Sequence, residues 1–220
     1  YLLYADSDFK MNNEPKPRSF EEVAAKVRQR GKQWAQAMSS VYPDMVLFVL
    51  PDLYPVVWPK AQRDLDKRLV DFEMGLMPAF LDGVMLGLDE RAMLVAGCES
   101  TYTSSQYRDM LVRRDISKEQ SLMVSSVPEL ARKRISFAAG IWTDAGFSPT
   151  NCFSDTDVRV NHRNPERHMY AVHNALAASD KYAWTWGQWG DHGEWNWLTT
   201  DPTPLMREYW RANVEGHTPQ

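Results

Sequence analysis

Four carboxylates in this chain stand where short apolar runs stop. Asp6 and Asp8 follow Tyr1–Ala5, Glu99 follows the run that starts at Met93, and Asp144 follows "ISFAAGIW". Carboxyl groups gathered in one cleft can divide acid and base work. One protonates a leaving oxygen while the other attacks carbon or activates water. Asp6 and Asp8 are two residues apart, so on a continuing strand they share a face. Two close carboxylates raise one pKa, which suits a general acid. A carboxylate just past a strand also caps the following helix, and that structural role stands beside the chemical one. Ser19 is a better cap for the first helix, which weakens the capping role for Asp6 and Asp8. For Asp144, "DAG" is in addition an ordinary turn signal.

Aromatic and amide groups accompany these acids. Asp52 and Tyr54 follow the second apolar run, Tyr102 lies three residues after Glu99, and Trp142 lies two before Asp144. The stretch "YAWTWGQWGDHGEWNW", Tyr182 to Trp197, holds five of the nine tryptophans. Tyr182, Trp184 and Trp186 alternate and so share one strand face, with the small Ala183 and Thr185 on the other. Trp184 is expected to fill the helix layer. Trp186, nearest the strand end, is expected to stack on a ligand together with Gln188 and Trp189. Flat rings stack on the C–H faces of a pyranose, while carboxylates and amides bond its hydroxyls. The expected substrate-binding set is therefore Asp52, Tyr54, Tyr102, Trp142, Trp186, Gln188 and Trp189, and the expected partner is a carbohydrate.

These residues need elements to position them. Ser19 opens a helix with Glu21 and Glu22 in its first turn, running to about Val41. "MVLFVL", Met45–Leu50, is a continuous apolar run of strand length, as in sheets covered on both faces. A helix follows over Met77–Leu88, then a strand from Met93 to Ala96. Helices are expected from Ser104 to Arg114 and from Pro128 to Lys133, then a strand over "ISFAAGIW". Pro165–Ser179 is a helix, "YAWTW" a strand, and Pro204 to about Val214 a last amphipathic helix. The order is strand then helix, five times over. It implies an α/β fold with a parallel sheet, namely a (β/α)8 TIM-type barrel of which about five strand-helix units are present. Residues 1–220 read as a single barrel-type domain truncated at its N-terminus. Chemistry in such a barrel gathers at the C-terminal ends of the strands.

Composition narrows the field. The net charge is −4 and the isoelectric point about 5.8, which argues against nucleic acid as the main partner. No run of about 18 apolar residues occurs, so no membrane span is expected. Cys98 and Cys152 make no disulfide framework and are expected to be free. The compartment therefore stays open, with secretion or a periplasmic location requiring a signal peptide upstream of Tyr1. Oligomeric state is also open. His168 and His173 are turned about 140° apart on one helix and share no face, and His173 is expected to be packed. Asp191, His192 and Glu194 could ligate a metal, which keeps a metal-dependent hydrolase as an alternative. Neither G-x-S-x-G, a Walker loop nor G-x-G-x-x-G is present. No cofactor is expected.

"YADSDF", "CESTY", "GIWTD" and "YAWTWGQ" resemble strand ends of (β/α)8-barrel glycoside hydrolases of an uncharacterised bacterial type. The similarity is to the C-terminal part of such a barrel. It implies that "YAWTW" is strand eight and "YLLYA" strand four. Several clans of these barrels carry an essential carboxylate at strand four and its partner on strand five, six or seven. Carried over, this sets Asp6 or Asp8 against Glu99 or Asp144 as the catalytic pair. Gln188 stands where many such barrels have Glu. An amide bonds sugar but cannot exchange a proton as a carboxyl does, so a non-catalytic carbohydrate-binding barrel remains the other reading.

Overall fold

The computed structural model describes residues 18–50, 69–70, 74–144, 153–187 and 201–217. Within them the chain is α/β, with four parallel strands alternating with helices. The elements are α1 (Phe20–Val41), β1 (Val46–Val49), α2 (Met77–Gly87), β2 (Met93–Cys98), α3 (Tyr107–Val124), α4 (Pro128–Arg134), β3 (Ile135–Trp142), α5 (Pro165–Ala178), β4 (Trp184–Trp186) and α6 (Pro204–Glu215). The sheet order is β1-β2-β3-β4. The first expected strand, Tyr1–Ala5, lies outside the described residues. The other four strands stand at the apolar runs that marked them, and so do their helices, except that the helix expected over Ser104–Arg114 starts later and runs on to Val124.

The described residues form two compact units. One holds the residues up to Ala96 together with Ile116–Ser136, and the other holds Gly97–Asp115 together with the residues from Phe137 onward.

In the first unit β1 pairs with β2 from Val46↔Met93 to Val49↔Ala96. Leu47 and Val49 of β1 pack on a core of Ala35, Leu81, Val84, Met85, Leu94 and Ala96. Ser19 starts α1 with a capping box: its hydroxyl accepts from the Glu22 N–H, and the Glu22 carboxylate accepts from the Ser19 N–H. α1 then lies against α2 at backbone contact. A Cβ on Gly83 would overlap the Arg28 carbonyl oxygen, and one on Gly87 the Lys32 carbonyl oxygen. Asp82, 1% exposed, accepts from the Ser125 hydroxyl at 2.6 Å and from the Ser126 N–H and hydroxyl at 2.8 and 2.6 Å. That carboxylate satisfies the turn that leads into α4.

In the second unit β3 pairs with β4 in the register Gly140↔Trp184, Ile141↔Thr185 and Trp142↔Trp186. Phe137, Ala139 and Ile141 pack on Met110 of α3 and on Ala171, Ala175 and Ala178 of α5. The alanines recur at one helical stripe and let α5 lie close to the strands. Ala183 joins the same cluster. By strand alternation, Gly140, Trp142, Trp184 and Trp186 therefore occupy the face turned away from these helices. Trp184 does not fill the helix layer, contrary to the expectation, because Ala183, just before β4, takes the side that faces α5.

Candidate functional site

The second unit brings three strand ends together. β2 stops at Cys98 and passes into a 3-10 turn, Glu99–Thr101. The turn lifts the backbone off the ladder, and Thr101 replaces the lost contact with its side chain. Its fully buried hydroxyl accepts from the Gly140 N–H at 2.8 Å and lies 2.8 Å from the Cys98 carbonyl and 2.9 Å from the Gly140 carbonyl. Beyond it, the Trp142 N–H donates to the Tyr102 carbonyl at 3.3 Å, and the Thr143 N–H to the Trp186 carbonyl at 2.8 Å. The ends of β2, β3 and β4 are thus in fixed register.

Glu99 and Asp144 both stand on this edge, and each is held by an aromatic donor. The Tyr102 hydroxyl donates to Glu99 Oε1 at 3.0 Å. Trp142 Nε1 donates to Asp144 Oδ1 at 2.7 Å. The two rings meet edge to face, with centroids 6.1 Å apart. Glu99, Tyr102, Trp142 and Asp144 therefore form one continuous chain of contacts. Glu99 is half-buried, whereas Asp144 is 7% exposed. Trp184 adds a second edge contact to Tyr102, at 5.3 Å. It packs against β3 at Gly140, where a Cβ would come within 2.8 Å of its ring. Trp184 Nε1 is buried without a hydrogen-bond partner. Trp186 is 45% exposed, so of the two β4 tryptophans it alone offers an open ring.

Arg163 was not singled out by its sequence context, yet it organises this edge. It is 4% exposed. Its guanidinium donates to the Ser105 hydroxyl (2.9 Å), the Trp142 carbonyl (3.2 Å), the Tyr102 carbonyl (2.8 Å) and the Ser104 carbonyl (2.9 Å). All four acceptors are neutral. Burial pulls its pKa down to about 10, since the charged form loses hydration. The planar fork suits this task, because it reaches several carbonyls at once from one rigid group. Arg163 is itself held through its own carbonyl, which accepts from the Tyr209 hydroxyl. Burial pushes that phenol up to about 12. The only sequence signal was indirect: "NHRNP" is polar and immediately precedes α5, whose N-cap is Asn164.

His168, one turn into α5, is fully buried. Its Nε2 lies 3.0 Å from Asn213 Oδ1, so Nε2 carries the proton. Its Nδ1 has no partner. Desolvation, partly offset by the Asn213 bond, pushes its pKa down to about 4. His168 rather than His173 is thus the packed histidine of the helix; His173 is half-buried.

The structure places Glu99, Tyr102, Trp142, Asp144 and Trp186 of the expected set on one edge. Asp6, Asp8, Asp52, Tyr54, Gln188 and Trp189 lie outside the described residues, as do Asp191, His192 and Glu194. Among the described residues no group of three or more His, Cys, Asp or Glu is placed to hold a metal ion, and no helix is long and apolar enough to cross a membrane. Cys98 is buried, with its sulfur 3.0 Å from the Ser100 hydroxyl. Compared with protein-family models, with curated proteins and with solved structures, the chain matches none.

Proposed function

We propose that the chain is part of a (β/α)8-type barrel that binds a poly- or oligosaccharide at the C-terminal ends of its strands and cleaves it with a carboxyl pair. One observation carries the reading: Glu99 and Asp144 directly follow parallel strands and are linked through Tyr102 and Trp142, beside the open ring of Trp186. In this reading Trp186 stacks on a sugar face. One carboxyl group protonates the glycosidic oxygen, and the other attacks the anomeric carbon or activates water against it. Tyr102 and Trp142 orient the two carboxyls. Asp6 and Asp8 are the other candidates for either role, and Asp52, Tyr54, Gln188 and Trp189 for sugar contacts.

The test is a panel of aryl glycosides and oligosaccharides, read for released sugar and, separately, for binding by calorimetry. Wild type is expected to turn over at least one member. Glu99→Gln and Asp144→Asn are each expected to lower the rate by about 10²–10⁴-fold while leaving binding in place. Trp186→Ala is expected to weaken binding. Asp144 is nearly buried and already committed to Trp142, which favours a second reading, a barrel that binds sugar without cleaving it. Binding without turnover in wild type selects that reading. Neither binding nor turnover overturns both, and loss of turnover on chelation transfers the case to a metal-dependent hydrolase.

A further inference from the structure

Away from the strand ends, the first turn of α5 and one stripe of α6 enclose an open groove of about 450 Å³. Its floor is apolar, made by Val158, Met169, Leu205 and the small, buried Ala212. Its rim is acidic: Glu166 from α5 and Glu208 and Glu215 from α6, against one base, Arg211. The ion pairs among the described residues include none of the three glutamates. Glu166 lies in the first turn of α5, where the helix dipole favours a carboxylate. Glu215 has no such account. It closes α6, the end at which the dipole disfavours negative charge, and no basic residue stands in that last turn. This carboxylate thus stands at an unfavourable helix end, on the edge of an open apolar groove.

We propose that this groove is the docking site for a basic amphipathic helix of a partner protein. The lining of α6 runs from Leu205 to Glu215, about 15 Å at helical rise. That length matches a helix of about ten residues. Apolar side chains at i, i+4 and i+7 would fill the floor over Ala212, and flanking lysines or arginines would meet the three glutamates. The same rim repels the phosphates of nucleic acids and anionic lipids.

The experiment titrates the full chain into a fluorescein-labelled helical peptide carrying three leucines at that spacing and flanking lysines, read by anisotropy. Micromolar binding is expected, weakened about tenfold or more both by Glu208→Lys with Glu215→Lys and by Leu205→Asp. Glu208→Gln with Glu215→Gln is the milder pair should the reversal unfold α6. A peptide of equal charge without the leucines is expected to bind at least about tenfold more weakly. No binding, equal binding by the glutamate variants, or equal binding of the leucine-free peptide would each overturn the proposal. The last result would mean bare charge attraction without a seat in the groove.

Discussion

Single side chains here do what the backbone cannot. Where β2 turns away from the sheet, Thr101 supplies both a donor and an acceptor to a strand 39 residues on. Thr101→Val keeps the shape and deletes the hydroxyl. It leaves the Gly140 N–H unpaired in a buried site, which is expected to cost about 1–3 kcal/mol. Chemical denaturation reads that loss, and Thr101→Ser is expected to recover most of it. Sequence could mark Glu99 and Asp144 because a carboxylate after an apolar run is a local signal. It could not mark Thr101 or Arg163. Most of their partners are backbone carbonyls and amides of distant segments, 61 and 59 residues away for the Arg163 bonds to Tyr102 and Ser104, and a carbonyl has no residue type to read. The same holds for Gly140, whose missing side chain is legible only once Trp184 is seen lying on it.

Elements were more legible than residues, and the exception has a physical cause. The caps Ser19, Asn164 and Thr203 each accept from a backbone N–H of their helix, and side-chain caps are local chemistry. The helix expected over Ser104–Arg114 instead runs from Tyr107 to Val124. Its buried positions include Ser117 and Ser121, so the apolar stripe that marks a helix fades halfway. The Ser121 hydroxyl bonds back to the Ser117 carbonyl at 2.8 Å, which satisfies it without a partner element. The α1–α2 pair rests on absence of side chains in the same way. Gly83→Ala is expected to force the two backbones apart and to destabilise the chain by more than the roughly 1 kcal/mol that alanine normally gains over glycine in a helix. A thermal or denaturant melt should therefore move opposite to helix propensity. A more stable variant would mean that α1 and α2 do not touch at Gly83.

For the chain as a whole, the alternation of strands and helices was readable, but the division into two units was not. Its boundaries fall inside β2, α3 and β3, so no linker composition announces them. Stability against pH is set most clearly by His168. Its folded pKa, about 4, lies below the 6.5 of the free side chain. Between these values the unfolded chain binds a proton that the folded chain refuses. The stability is therefore complete above pH about 6.5 and is lost as pH falls toward 4, by up to roughly 3 kcal/mol. His168→Gln should flatten that window. The Asp157–Arg159 pair lies lower on the scale: hydrogen bonds from Arg159 hold Asp157 at about 2 against 3.8, so its loss falls in more acid solution. A melt series from pH 7 down to about 2 separates the two, the His168 loss falling above pH 4 and the Asp157 loss below it. The ring cluster has an optical consequence. Tyr102 sits 5.3 and 6.1 Å from Trp184 and Trp142, at interplanar angles of 66° and 60°. At such spacing transition dipoles couple, since coupling falls with the cube of distance, and their skew gives the coupled bands rotational strength. The candidate site should therefore write its own exciton signature into the near-ultraviolet circular dichroism. A ligand that reoriented Tyr102 would change that signal with no label attached.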